Sequence, residues 1–303
     1  MAFQEHRSDT ERPRAGHLVV IGGNEDREHE MLVLRRFVEL TGREDPQIVV
    51  LMASGDERDC WPLYDHAFAR LGVGRRECVS LESRACANDP ALARRVSGAD
   101  GLFLAGADAK RLLAVLGGTR LDDAMHHAFS RLGTCIAGTS AAASALSQHL
   151  MVDAHAAAGL PHEAQALGAG LGYLQRVVID QHFSERQRLA RLLAVVAQNP
   201  GVLGIGIDED TALVIPPDGG VEVVGDGAVT LIDGRQMSSF ELRGRERALL
   251  ELADVRLHLL PAGARYRPGT TRRGAGAGES KPLPPVLRDL LAVIAAPRTE
   301  LTS

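Results

Sequence analysis

Six apolar runs, at residues 17–21, 47–52, 76–81, 101–104, 133–137 and 176–179, constrain this chain more than any other feature. Segments with apolar residues at three- and four-residue intervals lie between most of them, at 28–40, 61–71, 110–116 and 122–132. A continuous Val/Ile/Leu run is apolar on both faces, so each strand it forms must be covered twice. Alternation with helices supplies that cover. The pattern predicts an α/β fold with a mostly parallel central sheet and helices on both faces.

After Gly201 the pattern changes. Short runs at 202–207, 212–215, 221–224, 229–232 and 255–260 are joined by turns such as Pro216-Pro217-Asp218-Gly219 and Asp233-Gly234. These predict antiparallel hairpins at one side of the sheet in the C-terminal third. A single α/β domain is expected over 16–267, after a polar, flexible segment at 1–15. The stretch 268–285, PGTTRRGAGAGESKPLPP, has the composition of a linker. Leu287, Leu290, Leu291 and Ile294 then predict a helix within a C-terminal tail at 286–303.

Composition removes several classes of function. With 34 basic against 39 acidic residues, a net charge of −5 and no basic block, nucleic acid is not expected as a partner. The N-terminal residues lack an apolar core and no run of about 18 apolar residues occurs, so neither a leader nor a membrane span is expected. Cys60, Cys78, Cys86 and Cys135 have neither pairing nor metal-ligand spacing, which points to thiols in a reducing compartment, the cytoplasm. No metal and no cofactor is called for.

The candidate chemistry begins at residues 133–144, GTCIAGTSAAAS. An apolar strand runs into Gly138-Thr139-Ser140, and Ala141, Ala142 and Ala143 start a helix. Such a strand–turn–helix holds its central residue in a strained conformation and pushes the hydroxyl out of the sheet. It tolerates only small residues two positions either side, and Gly138 and Ala142 comply. Ser140 is therefore a candidate nucleophile.

Two further strands end in polar residues. The run 176–179 ends in Asp180-Gln181-His182, and a histidine there lies on the edge where α/β sheets place ligands. Ser184-Glu185-Arg186-Gln187 matches a capping box, predicting a helix from that point. On that helix Arg188 and Arg191 share a face and Arg186 points elsewhere. A third strand ends in Asp208-Glu209-Asp210, one of which is placed to orient the imidazole.

These segments resemble the cyanophycinases, serine exopeptidases that degrade cyanophycin, the aspartate–arginine storage polymer. The resemblance runs from His17 to Arg273 and rests on several motifs. They are the opening HLVVIGGNED, the Gly138-Thr139-Ser140-Ala141 elbow, Asp180-Gln181-His182-Phe183 with Arg186, Arg188 and Arg191, the run Gly206 to Leu213, and the closing His258 to Gly263. It implies Ser140 as nucleophile, His182 as general base and Glu209 as the acid. It also implies that Asp180, Gln181, Arg186, Arg188 and Arg191 surround the cleft, and that β-aspartyl-arginine dipeptides leave the end of a peptide substrate. A glutaminase-like sandwich, commonly a homodimer, is implied as well.

The backbone N–H of Ala141 and one from Ala107 or Asp108 are expected to form the oxyanion site. Two departures stand out. The family has Gly-Gly-Asp-Gln where this chain has Gly106-Ala107-Asp108-Ala109, and its elbow continues Ser-Ala-Gly-Ala where this chain has Ser140-Ala141-Ala142-Ala143. Ala109 removes an amide expected at the substrate. The rival readings are an aspartyl dipeptidase acting on short acidic peptides and a catalytically weakened homologue that binds peptide.

Overall fold

The computed structural model describes residues 15–266 apart from 54, 56, 153–165, 218 and 244–247. The expected segment before residue 15, the linker and the C-terminal helix fall outside the described residues. The predicted alternation is realised as β1 (Leu18–Ile21), α1 (Leu32–Leu40), β2 (Gln47–Ala53), α2 (Glu57–Arg70), β3 (Arg75–Leu81), α3 (Arg84–Ala87) and α4 (Pro90–Ser97). It continues through β4 (Gly101–Ala105), α5 (Ala109–Leu116), α6 (Arg120–Arg131), β5 (Cys135–Thr139) and α7 (Ala141–Ala145). Next come β6 (Ser147–Val152), β7 (Ala166–Ala169), β8 (Leu174–Gln181), α8 (Leu189–Gln198) and β9 (Leu203–Ile207). The last strands are β10 (Thr211–Ile215), β11 (Val221–Gly225), β12 (Ala228–Asp233), β13 (Ser238–Arg243), β14 (Ala248–Ala253), β15 (Arg256–Pro261) and β16 (Arg265–Tyr266).

The strands divide into two main sheets and a ribbon. The first sheet has the order β16-β11-β10-β1-β5-β4-β2-β3, and its β1, β5, β4, β2 and β3 are parallel. The second has the order β15-β12-β9-β8-β6-β7, with β6, β8 and β9 parallel. Among the described residues β13 and β14 pair only with each other. One face of the first sheet buries Val19, Ile21, Val50 and Phe103 beneath Leu34 and Phe37 of α1 and Phe68 of α2. Its other face joins helices α4 to α7 and the inner face of the second sheet in one core, which includes Val20, Leu104, Leu121, Ile179, Ile205 and Leu231. Val178 and Ile232, on the outer face of the second sheet, pack beneath α8.

Three expectations about local structure change. The run 176–179 is part of β8 in the second sheet and does not join the sheet that carries Ser140. The runs 202–207 and 212–215 do not form a hairpin. β9 pairs with β8 and β12, whereas β10 inserts between β1 and β11, so residues 208–210 cross from one sheet to the other. Both strands are buried along their whole length, and an apolar run of five residues carries no mark of which neighbours it will find. The Pro216–Gly219 region does connect an antiparallel pair, β10 and β11. The Asp233-Gly234 turn leads into β13, which the pattern did not predict. The third change is the start of α8, taken up with the site.

Candidate active site

β5 is buried along its length and lies between β1 and β4, with Gly138 opposite Val20 and Leu104. The strand ends in a sharp turn. Ser140 has φ 53° and ψ −123°, a conformation that L-residues other than glycine seldom adopt. Its N–H donates to the Ile21 carbonyl at 3.1 Å, and its own carbonyl accepts from Ala143 N–H at 3.0 Å. α7 follows for only five residues. A Cβ on Gly138 would lie 2.7 Å from Leu146 Cδ1 and 3.0 Å from the Ala142 carbonyl oxygen, so position 138 admits no side chain without movement. Ala142 itself is buried in regular helix, where its methyl is accommodated.

His182 follows directly on β8 with φ 47° and is 7% exposed. Its Nε2 stands 2.9 Å from Ser140 Oγ and its Nδ1 stands 2.6 Å from Glu209 Oε1. The three residues expected from separate strand ends therefore form one chain of hydrogen bonds. They meet across two sheets rather than along one sheet edge: Ser140 comes from the first sheet, His182 from the second, and Glu209 from the turn between them.

Of the acidic cluster only Glu209 faces the imidazole. Asp208 Oδ1 accepts from the Ser184 backbone N–H and hydroxyl, and its Oδ2 accepts from Ala228 N–H. Asp210 Oδ1 accepts from Asp26 N–H. Burial pushes the Glu209 carboxyl upward, but hydrogen bonds from His182 and Asn24 and the nearby charges of His182 and Arg186 outweigh it. The group is held below the ordinary glutamate value.

The Ser184–Gln187 capping box does not form. Asp208 accepts the Ser184 N–H that the Gln187 side chain would take in such a box, as well as the Ser184 hydroxyl. Gln187 adopts φ 51°, and α8 begins at Leu189 with Arg188 at its N-cap. A side-chain partner 24 residues away thus displaces the local motif. Arg188 and Arg191 do converge, on Asp180. Asp180 is fully buried and accepts from Arg188 Nη1 at 2.8 Å, from Arg191 Nε at 3.0 Å and from Arg191 Nη2. Arg188 Nη1 also donates to the Gln181 carbonyl and Oε1. Burial lowers the Arg188 guanidinium, while the Asp180 charge acts in the opposite direction. Arg186 differs: it is exposed, and among the described residues it forms no ion pair.

The turn after β4 lies beside the elbow, because β4 pairs with β5 as far as Leu104 and Gly138. Ala107 and Asp108 are exposed there, and the Asp108 side chain caps α5 by accepting from Lys110 and Arg111 N–H. Ala109 opens α5 partly buried against the main core. Two residues with no role assigned from sequence also enter the site. Asn24 contacts Glu209, and buried Glu25 contacts Thr139 beside the nucleophile. Their mark in the sequence is the Gly22-Gly23 pair at the end of β1, which lets the chain turn back against the site.

The sequence model of peptidase family S51 matches residues 18–223. The chain belongs to this family. It is 32% identical over 265 residues to a cyanophycinase of Geminocystis herdmanii (strain PCC 6308), a match covering 86% of this chain and 97% of that one. It is 33% identical over 264 residues to a cyanophycinase of Synechococcus elongatus, covering 86% and 82% of the two chains. These matches set it in the cyanophycinase family, as a serine-type peptidase. The fold also matches the crystal structure of a peptidase from an acI-B1 Actinobacterium, with a TM-score of 0.64 and 21% identity over 84% of this chain and 97% of that one.

Proposed function

We propose that this S51 peptidase is a cyanophycin-degrading exopeptidase that releases β-aspartyl-arginine dipeptides through an acyl-enzyme on Ser140. The observation that carries the reading is the continuous hydrogen-bonded chain Ser140 Oγ, His182 Nε2, His182 Nδ1, Glu209 Oε1. Ser140 Oγ attacks the scissile carbonyl as its proton passes to His182 Nε2, and Glu209 holds Nδ1–H and stabilises the imidazolium. The carbonyl oxygen takes up negative charge, opposite the N–H of Ala141 and one from Ala107 or Asp108. Collapse breaks the C–N bond and the imidazolium gives its proton to the leaving amine. Water then attacks the ester, His182 accepts its proton, and the acid departs with Ser140 restored.

Arg186 is the anchor best suited to a substrate carboxylate, being exposed and without an ion pair among the described residues. Asp180, Gln181, Arg188 and Arg191 then act as a brace behind the cleft, built on the buried Asp180. A second reading, an aspartyl dipeptidase acting on short acidic peptides, is favoured by Ala109, whose methyl offers a peptide no hydrogen bond. We further propose a homodimer, on the family resemblance, and a cytoplasmic enzyme, since no disulfide joins the four cysteines.

The deciding experiment incubates the purified protein with cyanophycin and with a panel of aspartyl dipeptides and identifies the products by mass. Dipeptide release from the polymer, lost in S140A, is the expected result. Cleavage of the short peptides alone would establish the second reading instead.

A further inference from the structure

Residues 22–26 form the turn that leaves β1 toward α1, and each of them touches the machinery of the proposed reaction or the turn that carries it. Gly22 accepts from His182 N–H at 2.9 Å. Gly23 lies against the imidazole so closely that a Cβ would stand 2.5 Å from Cε1. Asn24 Nδ2 donates to Glu209 Oε2 at 2.8 Å. The Glu25 carboxylate, 2% exposed, accepts from the hydroxyl of Thr139, the residue before Ser140, and from the Tyr64 hydroxyl. Asp26 N–H donates to Asp210.

Asn24 is the member of this set whose presence packing does not explain. Its side chain is exposed and its backbone sits at φ 48°, a region that asparagine, aspartate and glycine tolerate best. The two turns it bridges are already joined by Gly22 N–H to the Thr211 carbonyl at 2.9 Å and by Asp210 N–H to the Gly23 carbonyl at 2.9 Å. Their mutual placement does not depend on the Asn24 amide. What the amide adds is a second anchor on a flexible carboxylate. Glu209 reaches the imidazole through one oxygen, Oε1, and the amide grips the other, fixing the plane of the group and the face it turns to Nδ1.

We infer that Asn24 is a positioning residue: it orients Glu209 toward His182, as a fourth member of the hydrogen-bonded chain. The inference rests on the reaction proposed above. The other groups facing Glu209 are His182, Arg186 and Glu185, whose Oε1 accepts from Glu209 N–H at 3.2 Å. Asp208 and Asp210 are turned onto other partners. Asn24 is therefore the neutral donor on this carboxylate, and exchanging it changes both geometry and charge.

Two variants keep the backbone comfortable at positive φ. Asn24→Gly removes the donor, and Asn24→Asp keeps the shape but replaces the donor by a carboxylate. We expect Asn24→Gly to lower kcat about tenfold with KM nearly unchanged, the loss of one hydrogen bond at a charged group. A carboxylate that has lost this donor accepts more strongly from Nδ1–H and favours the imidazolium, so the acid limb of the kcat profile moves to higher pH. In Asn24→Asp the new carboxyl donates to Glu209 while it holds a proton. The variant-to-wild-type ratio of kcat then stays near one at low pH and falls about tenfold as the proton leaves and two like charges face each other.

Glu209 and Asn24 join the turns only at their tips, so thermal midpoints should stay close to wild type. Wild-type kcat and acid limb in Asn24→Gly would overturn the inference. So would an Asn24→Asp ratio that is constant across pH with a lowered thermal midpoint, the signature of a merely structural role. S140A is assayed beside them. If it retains activity, the proposed reaction fails and the inference with it; if it is inactive while both Asn24 variants behave as wild type, only the inference fails.

Discussion

The two halves of the site are held by different forces. On the first sheet, the elbow is positioned by steric fit: β5 and α7 are buried, Gly138 has no space for a methyl, and Ser140 is forced to φ 53°. On the other side, buried His182 just after β8 and Glu209 in the turn between the sheets are positioned by hydrogen bonds. His182 N–H donates to the Gly22 carbonyl, Asn24 Nδ2 donates to Glu209, and the imidazole and the carboxylate bond each other. A nucleophile needs only to be aimed, and close packing aims it. A base and its acid must also keep a defined charge, and hydrogen bonds set charge as well as direction. Substitutions on the elbow side should therefore act through stability, except at the hydroxyl itself. Those on the imidazole side should act through rate.

The hydroxyl exception carries the largest effect. Ser140→Ala should cut kcat by about 10⁶-fold with an unchanged melting temperature, since alanine meets the same backbone strain and loses only a side-chain contact. Residual turnover of the wild-type order would remove Ser140 from the reaction.

Next is Glu209→Gln, expected to lower kcat by about 10⁴-fold, as loss of an orienting acid does elsewhere, while the fold stays intact. Asp208→Asn gives the contrast within three residues of sequence. Asp208 holds the Ser184 and Ala228 backbones, so its loss should lower the thermal midpoint and leave most of kcat. The reverse pattern, with Asp208→Asn slow and Glu209→Gln normal, would invert the assignment.

Gly138→Ala probes the steric half. A Cβ placed 2.7 Å from Leu146 Cδ1 forces the core to move, at a cost of about 1–3 kcal/mol measurable by denaturant unfolding. A fully stable variant would show that the elbow is looser than its packing indicates.

The smallest effect is expected at Ala109, which opens α5 beside the elbow. Ala109→Gln should raise kcat/KM on cyanophycin about tenfold if an added amide reaches the peptide. A fall would mean that the side chain fills space the substrate needs. No change would show that position 109 does not touch substrate.

Much of this was legible before the structure, for reasons that differ from residue to residue. The run 133–137 followed by Gly-Thr-Ser and alanines encodes its turn locally, because the small residues are needed within one strand–helix junction. The 17–21 and 47–52 runs are likewise strands by their own composition. Ser184-Glu185-Arg186-Gln187 misled because a capping box is only a local preference, and Asp208 took the Ser184 N–H together with its hydroxyl. Asn24 and Glu25 carried no legible role, since their partners are 185 and 114 residues away. Arg188 and Arg191 were expected on one face of a helix; Arg188 instead stands at the N-cap of α8 and Arg191 within it, and nothing in the sequence showed that both close on a buried aspartate.

The sequence by itself determined the α/β class, the elbow, and the identity of the serine, histidine and acidic cluster, because periodicity, turn chemistry and family motifs are written in short stretches of chain. Only the tertiary structure decided that β9 and β10 part into different sheets. The turn between them is thereby carried across the gap, which sets Glu209, the acid that the family resemblance already implied, against His182. The physical reason is that a buried apolar strand satisfies its backbone with whichever neighbours packing provides. That choice depends on the whole core and leaves no trace in the five residues of the strand.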